Sequence, residues 1–434
     1  VVATGLGVVS CLGVGAAEHF PRLMAGESGV VRWAPEDRGR AGLPIGFRAP
    51  VRGFDPRRSI RNRMLRKLLQ PSGAFAVAAA TEAIADAGFD AGGVRTEGEA
   101  ADPRLAAAAL YFGSVSYDLP SSLYVPALRA SFGPDQQRFS FDRFGHQGIA
   151  LVDPLLIVKG LPNAALCGVS IEHGIQGVNA NFANGAVAGL EAVAAAAEAI
   201  RRGDAEVALA GASDSLLQPE HAIEHHLRGR VWTGEEPRTS ASRPFARGRS
   251  GYLLGEGAAV VVLESEEHAR SRGARIYAEL GGDGEAHSGG FGSGEEALAA
   301  AAAEALAGGP EPDVLFGQGL GTVEDDRREA RAAHALFGRR VPLTAATGAL
   351  GYTGAAGGIF SFAHALWSLA HGLPPTIGGD EPDPDCPVTL VRTAGGRPPA
   401  SALVWASDVW ENDPGSKHVA VCCRHLSEEP FVGA

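Results

Sequence analysis

Residues 241–279 read ASRPFARGRSGYLLGEGAAVVVLESEEHARSRGARIYAE, and this stretch decides the fold. At its centre Gly257–Glu264, GAAVVVLE, is an apolar run without polar alternation, which predicts a core strand. Upstream, Leu105–Phe112 and Val207–Ala210 read as further buried strands, and Val1–Ser10 as an opening one. Gly185–Gly203 is a helix so rich in Ala that it must pack closely on most sides. Ala16–Ala25 and Arg66–Ala87 have helical spacing, the second stopped by Gly88. Downstream, Ala297–Leu306 and Gly357–His371 are helices, and Val314–Phe316 is a short strand. Ala402–Ala406 and His418–Cys422 form a closing antiparallel pair, while Glu97–Pro103 and Gly308–Asp313 read as surface loops. Strands alternating with helices give an α/β fold with sheets between helices.

The 434 residues allow two or three domains, and 45% hydrophobic content is ample for a deep core. Charged residues make up 20% without a long run of one sign, which excludes wholesale disorder. The net charge of -12, with no basic domain, argues against nucleic acid or an anionic membrane surface as the main partner. No apolar stretch is long and uncharged enough for a transmembrane helix, and the opening VVATGLGVVS reads as a strand, not a signal peptide. Five scattered cysteines without a CxxC pair indicate neither a zinc site nor a disulfide framework, so a reducing cytoplasm is the expected location.

Several motifs resemble one family. The opening VVATGLGVVSCLGVG with LMAGESGV (Leu23–Val30), the stretch RRGDAEVALAGAS (Arg201–Ser213) and residues 241–279 are similar, in order, to the β-ketoacyl synthases of the thiolase fold. The resemblance implies two topologically similar halves, 1–253 and 254–434, in a five-layered αβαβα sandwich that dimerises. It also implies no bound cofactor, because acyl chains arrive on the phosphopantetheine of a carrier protein.

The family's reactive positions are replaced here. A ketosynthase needs a Cys on a tight turn before a buried helix, where the thiolate is stabilised and nearby amides bind the oxyanion. The corresponding stretch Ala180–Gly185, ANFANG, has Phe182 there, which cannot carry an acyl group. The enolate-stabilising His of HGTGT becomes Gln318 in QGLGT, with the downstream acidic residues retained as Asp326 and Glu329. Gln donates a hydrogen bond but cannot shuttle a proton near neutral pH. In ATGALGYTGAAG (Ala346–Gly357), the family's Lys is Ala346 and its second His is Gly351, or Tyr352 after a one-residue shift. The C-terminal glycine loop with its aromatic gate is replaced by ASDVWENDPGSK (Ala406–Lys417).

Other chemistry-bearing residues have plainer readings. Cys167 is expected to be a small buried thiol, and Glu172 and His173 surface or interface residues. His221, His225 and His226 include an i, i+4 pair that could hold a metal but lacks a third ligand, so a solvated helix face is expected and no metal site is assigned. GSGEE after Phe291 lacks the Lys and Ser/Thr of a phosphate loop.

An intact scaffold without its nucleophile resembles the chain length factor, or ketosynthase β subunit, of type II polyketide synthases. That implies a non-catalytic subunit pairing with an active ketosynthase and shaping the acyl tunnel, for an aromatic, polyene or fatty-acid-like product. Two alternatives remain: a malonyl-carrier decarboxylase supplying primer, and a structural acyl-binding homodimer. Leu123, Val125, Leu128 and Phe132, in the segment Ser114–Gly133, have roughly helical spacing and are the expected tunnel-wall residues. An acidic carrier protein is expected to dock on the partner's basic surface, since this chain is itself acidic.

Overall fold

A computed structural model describes residues 1–34, 42–92, 102–115, 120–133, 137–234, 242–290, 293–376, 378, 381–408 and 416–426. Residues 97–101 of the first expected loop, 116–119 of the tunnel segment, Ala241, Phe291, and 409–415 of the C-terminal loop therefore lie outside the description.

Eleven strands form one continuous ladder. The first five are β1 (Val2–Ser10), β2 (Ala109–Gly113), β3 (Asn179–Phe182), β4 (Val207–Ser215) and β5 (Glu256–Glu264). The others are β6 (Ala278–His287), β7 (Val314–Phe316), β8 (Pro342–Thr344), β9 (Thr389–Leu390), β10 (Ser401–Asp408) and β11 (Lys417–Arg424). Their spatial order is β9-β8-β7-β10-β11-β6-β1-β5-β4-β2-β3. Each half repeats one topology: β3, β2 and β4 run parallel, and β5 and β1 follow antiparallel. The strands β8, β7 and β10, then β11 and β6, do the same. Contact between β1 and β6, Val2 opposite Glu279, joins the halves.

The strand β5 pairs with both β1 and β4 and so lies within the first half's strand order.

The helices that matter are α1 (Ala16–Met24), α2 (Pro71–Asp86), α3 (Val125–Ser131), α4 (Ala164–His173), α5 (Ala188–Arg201), α6 (Gly294–Leu306), α7 (Val323–Phe337) and α8 (Gly357–His371). Successive strand residues point to opposite faces, so a strand buried on both sides feeds two cores. In β5, Ala259, Val261 and Leu263 enter a central core with α5 and α8, while Ala258, Val260 and Val262 face α2. In β10, Ala402, Val404 and Ala406 face the centre, and Leu403 and Trp405 face α6 and α7. Three helical layers thus enclose the two halves of the sheet, the five-layered sandwich that the family resemblance implies.

Close helix–sheet contact explains much of the glycine content. At Gly7 an added Cβ would overlap the Ala79 carbonyl of α2, and at Gly284 that of Ala301 in α6. The expected helix Arg66–Ala87 is broken in two. Pro71 opens α2 as its first residue, and Gln70 before it is extended (ψ 169°), as a residue preceding proline prefers.

Candidate functional site

Three turns meet at the end of β10. The first follows β3, whose last residue Phe182 stands beside Gly113 of β2. The Ser114 N–H donates to the Phe182 carbonyl (2.9 Å), and the Phe182 ring is half-buried. Two residues on, the Asn184 amide donates to both oxygens of Glu191 (2.9 Å each), and Lys417 of β11 pairs with that buried carboxylate and with Glu285. Gly185 then turns the chain with φ +61°, and Asp408 fills the space where its Cβ would lie. A short 3-10 turn, Gly185–Val187, leads into α5.

The second turn, Gly317–Thr322, is held by two carboxylates of α7. Glu329 Oε1 accepts from Gln318 N and Trp405 Nε1 (2.7 Å each), and its Oε2 accepts from Gly319 N (2.9 Å). Asp326 accepts from Phe245 N (2.6 Å) and Gly321 N (2.9 Å) and pairs with buried Arg249 (3.2 Å). Burial raises the pKa of Glu329, and the N–H donors oppose that shift. Gln318 is committed to the end of β10: its Nε2 donates to Ser407 O (3.1 Å), and Ser407 N donates to its Oε1 (3.0 Å). The amide is thus engaged on both sides.

The third turn runs from Ala346 to Ala356. Ala346 packs its methyl against the central core, and the neighbouring Thr347 hydroxyl donates to the Gln318 carbonyl. Gly351 has φ +72°, and a Cβ there would crowd Leu253 O and Ala49, so this backbone requires glycine. Tyr352 turns into a separate cluster with Tyr252 (ring centroids 4.6 Å) and His225 (5.7 Å). Asp214 accepts the Ala355 N–H (3.0 Å). The turns are therefore joined: Thr347 to Gln318, Gln318 to Ser407, and Asp408 to Gly185.

These positions bring together a phenyl ring, an engaged amide, a methyl and a bare glycine. None of the four is a nucleophile or an imidazole. Among the described residues no cluster of three His, Cys, Asp or Glu could hold a metal.

Other expectations need correction. Glu172 and His173 are buried, not at the surface. Glu172 accepts from Arg61 N (2.6 Å) and Asn62 N (3.2 Å), and His173 contacts the Thr81 hydroxyl (3.1 Å). His221 and His225 also face inward, with His225 Nδ1 2.7 Å from Tyr252 OH, while their helix Pro219–Leu227 leaves Ile223 and Leu227 exposed. Buried aromatic partners took the inner face there. Cys167 is half-buried, with its thiol pKa raised by burial. Ser293 of the GSGEE stretch caps α6 by accepting from Glu296 N.

The tunnel residues do not form one helical face. Leu123 lies in a separate 3-10 turn, α3 starts at Val125, and Phe132 is extended at its end. Ala127 and Ser131 take the inward positions, leaving Leu128 exposed and Leu123, Val125 and Phe132 half-buried. Phe132 packs edge-on against Phe139 (5.9 Å). Missing from the sequence reading were Asp408, Asp214 and the Glu191–Lys417 pair. Asp408 lies in a stretch flagged only as departing from the family loop.

A five-layered duplicated fold with three glycine-rich turns converging beneath a central helix pair defines a thiolase-type scaffold. Residues 1–269 match the family described as "Beta-ketoacyl synthase, N-terminal domain", and residues 278–380 match "Beta-ketoacyl synthase, C-terminal domain". The chain belongs to the β-ketoacyl synthase family. It is 32% identical to a polyketide β-ketoacyl synthase of Streptomyces cyaneus, over 91% of this chain and 92% of that protein. Among solved structures it is similar to the ishigamide ketosynthase/chain length factor, with TM-score 0.81 and 25% identity over 98% and 99% of the two chains. It is also similar to a type II polyketide synthase ketosynthase in complex with its acyl-carrier protein, bound to the hexaketide (TM-score 0.76, 25% identity, 98% and 99% covered). Among the described residues no helix is long and apolar enough to cross a membrane.

Proposed function

We propose that this chain is the non-condensing subunit of a type II polyketide ketosynthase pair, a chain length factor that completes the acyl tunnel of an active partner. The observation that carries this reading is Phe182 on an otherwise intact nucleophile turn, with Gln318 engaged by Ser407. The names of the similar proteins, a polyketide β-ketoacyl synthase and a ketosynthase/chain length factor, support the polyketide setting. Loss of both imidazoles weighs against a decarboxylase, which needs no nucleophile but does need enolate stabilisation.

The surface supports a partner. Phe141, Ile149, Leu151, Ile157, Ile171 and Val178, all in one stretch of the chain, are 46–84% exposed, and apolar residues left exposed together mark interaction surfaces. Among the described residues β3 pairs only with β2, so its outer edge is open beside them. Obligate interfaces typically bury more than ~2,000 Å². Co-expression with an active type II polyketide ketosynthase should yield a stable one-to-one complex by size exclusion, and the chain alone a poorly soluble species or weak homodimer. A monodisperse monomer that ignores the ketosynthase would overturn the reading, and a tight homodimer would favour the structural acyl-binding alternative.

Leu128 and Phe132 test the tunnel role within that complex. Leu128→Ala or Phe132→Ala should lengthen the polyketide by mass spectrometry while the complex stays intact. If these side chains are only interface core, truncation costs ~2–5 kcal/mol and the complex dissociates instead. Unchanged chain length and assembly in both variants would exclude them from the wall.

A further inference from the structure

Ser288, His418 and Ser407 form a line of hydroxyl, imidazole and hydroxyl beside the degenerate centre. Three adjacent strands set it up. Ser407 of β10 stands opposite His418 of β11, and His418 stands opposite Ala286 of β6. Ser288 comes directly after β6, two residues beyond Ala286, and reaches the same side of the sheet. His418 Nδ1 lies 2.8 Å from Ser407 Oγ, and its Nε2 lies 2.9 Å from Ser288 Oγ. The ring is fully buried and Ser407 nearly so, whereas Ser288 is half-buried and followed by exposed Gly289. The outer hydroxyl of the line is thus the one a ligand can reach.

The surroundings suit acyl chemistry. With the His418 proton on Nδ1, that nitrogen donates to Ser407 Oγ, and Nε2 accepts from the Ser288 hydroxyl. A base then activates a nucleophile while a third group fixes the ring. Burial first, then Arg328 and His287, hold the His418 pKa down to about 4, so the ring is neutral and able to take a proton at neutral pH. Arg328 of α7 pairs with Glu324 (3.0 Å) and Asp325 (3.4 Å) through its terminal nitrogens. Its Nε and Ser288 Oγ each come within 3.4 Å of where a Cβ on Gly294, the first residue of α6, would lie. A guanidinium and the positive end of α6 therefore flank Ser288, where negative charge would develop on the oxygen of an attacked carbonyl. The site adjoins the converging turns, because the Ser407 backbone exchanges two hydrogen bonds with the Gln318 amide.

We propose that Ser288 is a nucleophile toward acyl thioesters, with His418 as its base and Ser407 as a positioning residue, and that this subunit hydrolyses acyl chains presented on pantetheine. The substrate class rests on the polyketide reading above; the nucleophile assignment does not. Ser288 Oγ attacks the thioester carbonyl carbon while its proton passes to His418 Nε2. The C–S bond breaks, and the sulfur leaves with that proton as the thiol. Water then attacks the Ser288 ester and gives a proton to His418. The C–O bond to Ser288 breaks, the acid is released, and Ser288 Oγ takes the proton back. The net change is thioester and water to carboxylic acid and thiol. So weak a base makes turnover slow.

The test uses the full chain in complex with a ketosynthase whose nucleophilic Cys is replaced by Ala. A fluorophosphonate probe should phosphonylate Ser288, mapped by peptide mass spectrometry, and octanoyl-pantetheine should be hydrolysed to octanoate. Ser288→Ala should abolish the mapped adduct and lower hydrolysis at least ~10²-fold at unchanged Tm, and His418→Gln should lower both by removing the base. Ser407→Ala should slow labelling several-fold, and Ser407→Thr, which keeps the hydroxyl, should restore it. If His418→Gln fails to fold, Ser288→Ala decides alone. No adduct at Ser288, hydrolysis undiminished in Ser288→Ala, or an adduct without octanoyl-pantetheine hydrolysis overturns the proposal. If no complex with the ketosynthase forms, the subunit reading fails, and the same two assays on the chain alone decide the nucleophile by the same results.

Discussion

Phe182→Cys is expected to create a reactive thiol that does not condense. The new sulfur would sit three residues before Gly185, at the end of β3 and just ahead of the turn into α5. A helix N-terminus lowers a thiol pKa, so Cys at this position should alkylate with iodoacetamide faster than the five native cysteines. The native thiols are held protonated by burial, with Cys11 and Cys386 pushed up to about 12. Chain extension needs more than a thiolate. Malonyl decarboxylation leaves an enolate whose charge must be met by hydrogen-bond donors, and a single such donor is worth ~10²–10³ in rate. Here the Gln318 amide is tied to Ser407, Gly351 has no side chain, and Ala346 has no ammonium group. Two missing donors place condensation ~10⁴-fold or more below an active ketosynthase. The assay uses Phe182→Cys in complex with a ketosynthase whose own nucleophile is removed, scored by radiolabelled malonyl incorporation. Labelling by iodoacetamide without chain extension is the expected pair of results. Robust extension would show that Gln318 or another group stabilises the enolate, and the non-condensing reading would fail.

Why was so much of the scaffold legible while parts of the site were not? Strands buried on both faces are continuous apolar runs, so β1, β5 and β7 could be read almost to the residue, as could α8. Their identity depends only on local pattern. The misreadings occurred where tertiary partners overrode it. His221 and His225 look like a polar helix face, yet Tyr252 offers a buried hydroxyl and ring, and the helix turns Ile223 and Leu227 outward. Glu172 looks like a surface acid, but its chain partners are backbone N–H groups more than a hundred residues away. The tunnel segment failed differently. Leu123, Val125, Leu128 and Phe132 match helical spacing, but Pro126 sits in the first turn of α3, and the helix lasts only to Ser131. The reading of Phe182, Gln318, Ala346 and Gly351 as replaced positions rests on motif resemblance alone. Their consequence, a Gln locked against β10 and an Asp filling the space above Gly185, required the fold.

A buried histidine pair should make the protein acid-labile. His19 of α1 and His364 of α8 face each other across the central layer with Nε2 atoms 2.9 Å apart, both fully buried. Ser10 Oγ lies 2.7 Å from His19 Nδ1 and accepts from Leu12 N. Phe20, Phe360 and Trp367 surround the pair, and Arg22 is the nearby charge. One hydrogen bond can join two neutral rings, whereas two imidazoliums would meet with two N–H groups and two charges. Burial, with the second ring and Arg22 adding to it, holds His19 well below its usual pKa, and burial pushes His364 down to about 3. The folded pKa values lie below the unfolded value of ~6.5, so the pair's neutral state is fully compatible with folding above pH 6.5. As pH falls below that, the unfolded chain takes up protons that the folded one refuses, and stability drops by up to ~1.4 kcal/mol per pH unit for each ring. A ring that stays neutral in the fold down to pH 4.5, as His364 does, therefore costs up to ~3 kcal/mol there, a sizeable share of the whole stability of many proteins. Buried Glu82, Asp326 and Glu329 have pKa values raised by burial and push the other way, so the wild-type profile is a sum of both. The difference between proteins isolates the pair. Thermal melts of the wild type and of His19→Met with His364→Met should diverge as pH falls from 6.5 to 4.5, the variant losing less Tm over that interval even where it starts lower. Parallel curves across that range would mean that the rings either stay neutral in the unfolded chain or are protonated without cost in the folded one, and the buried-pair account of acid lability would be wrong.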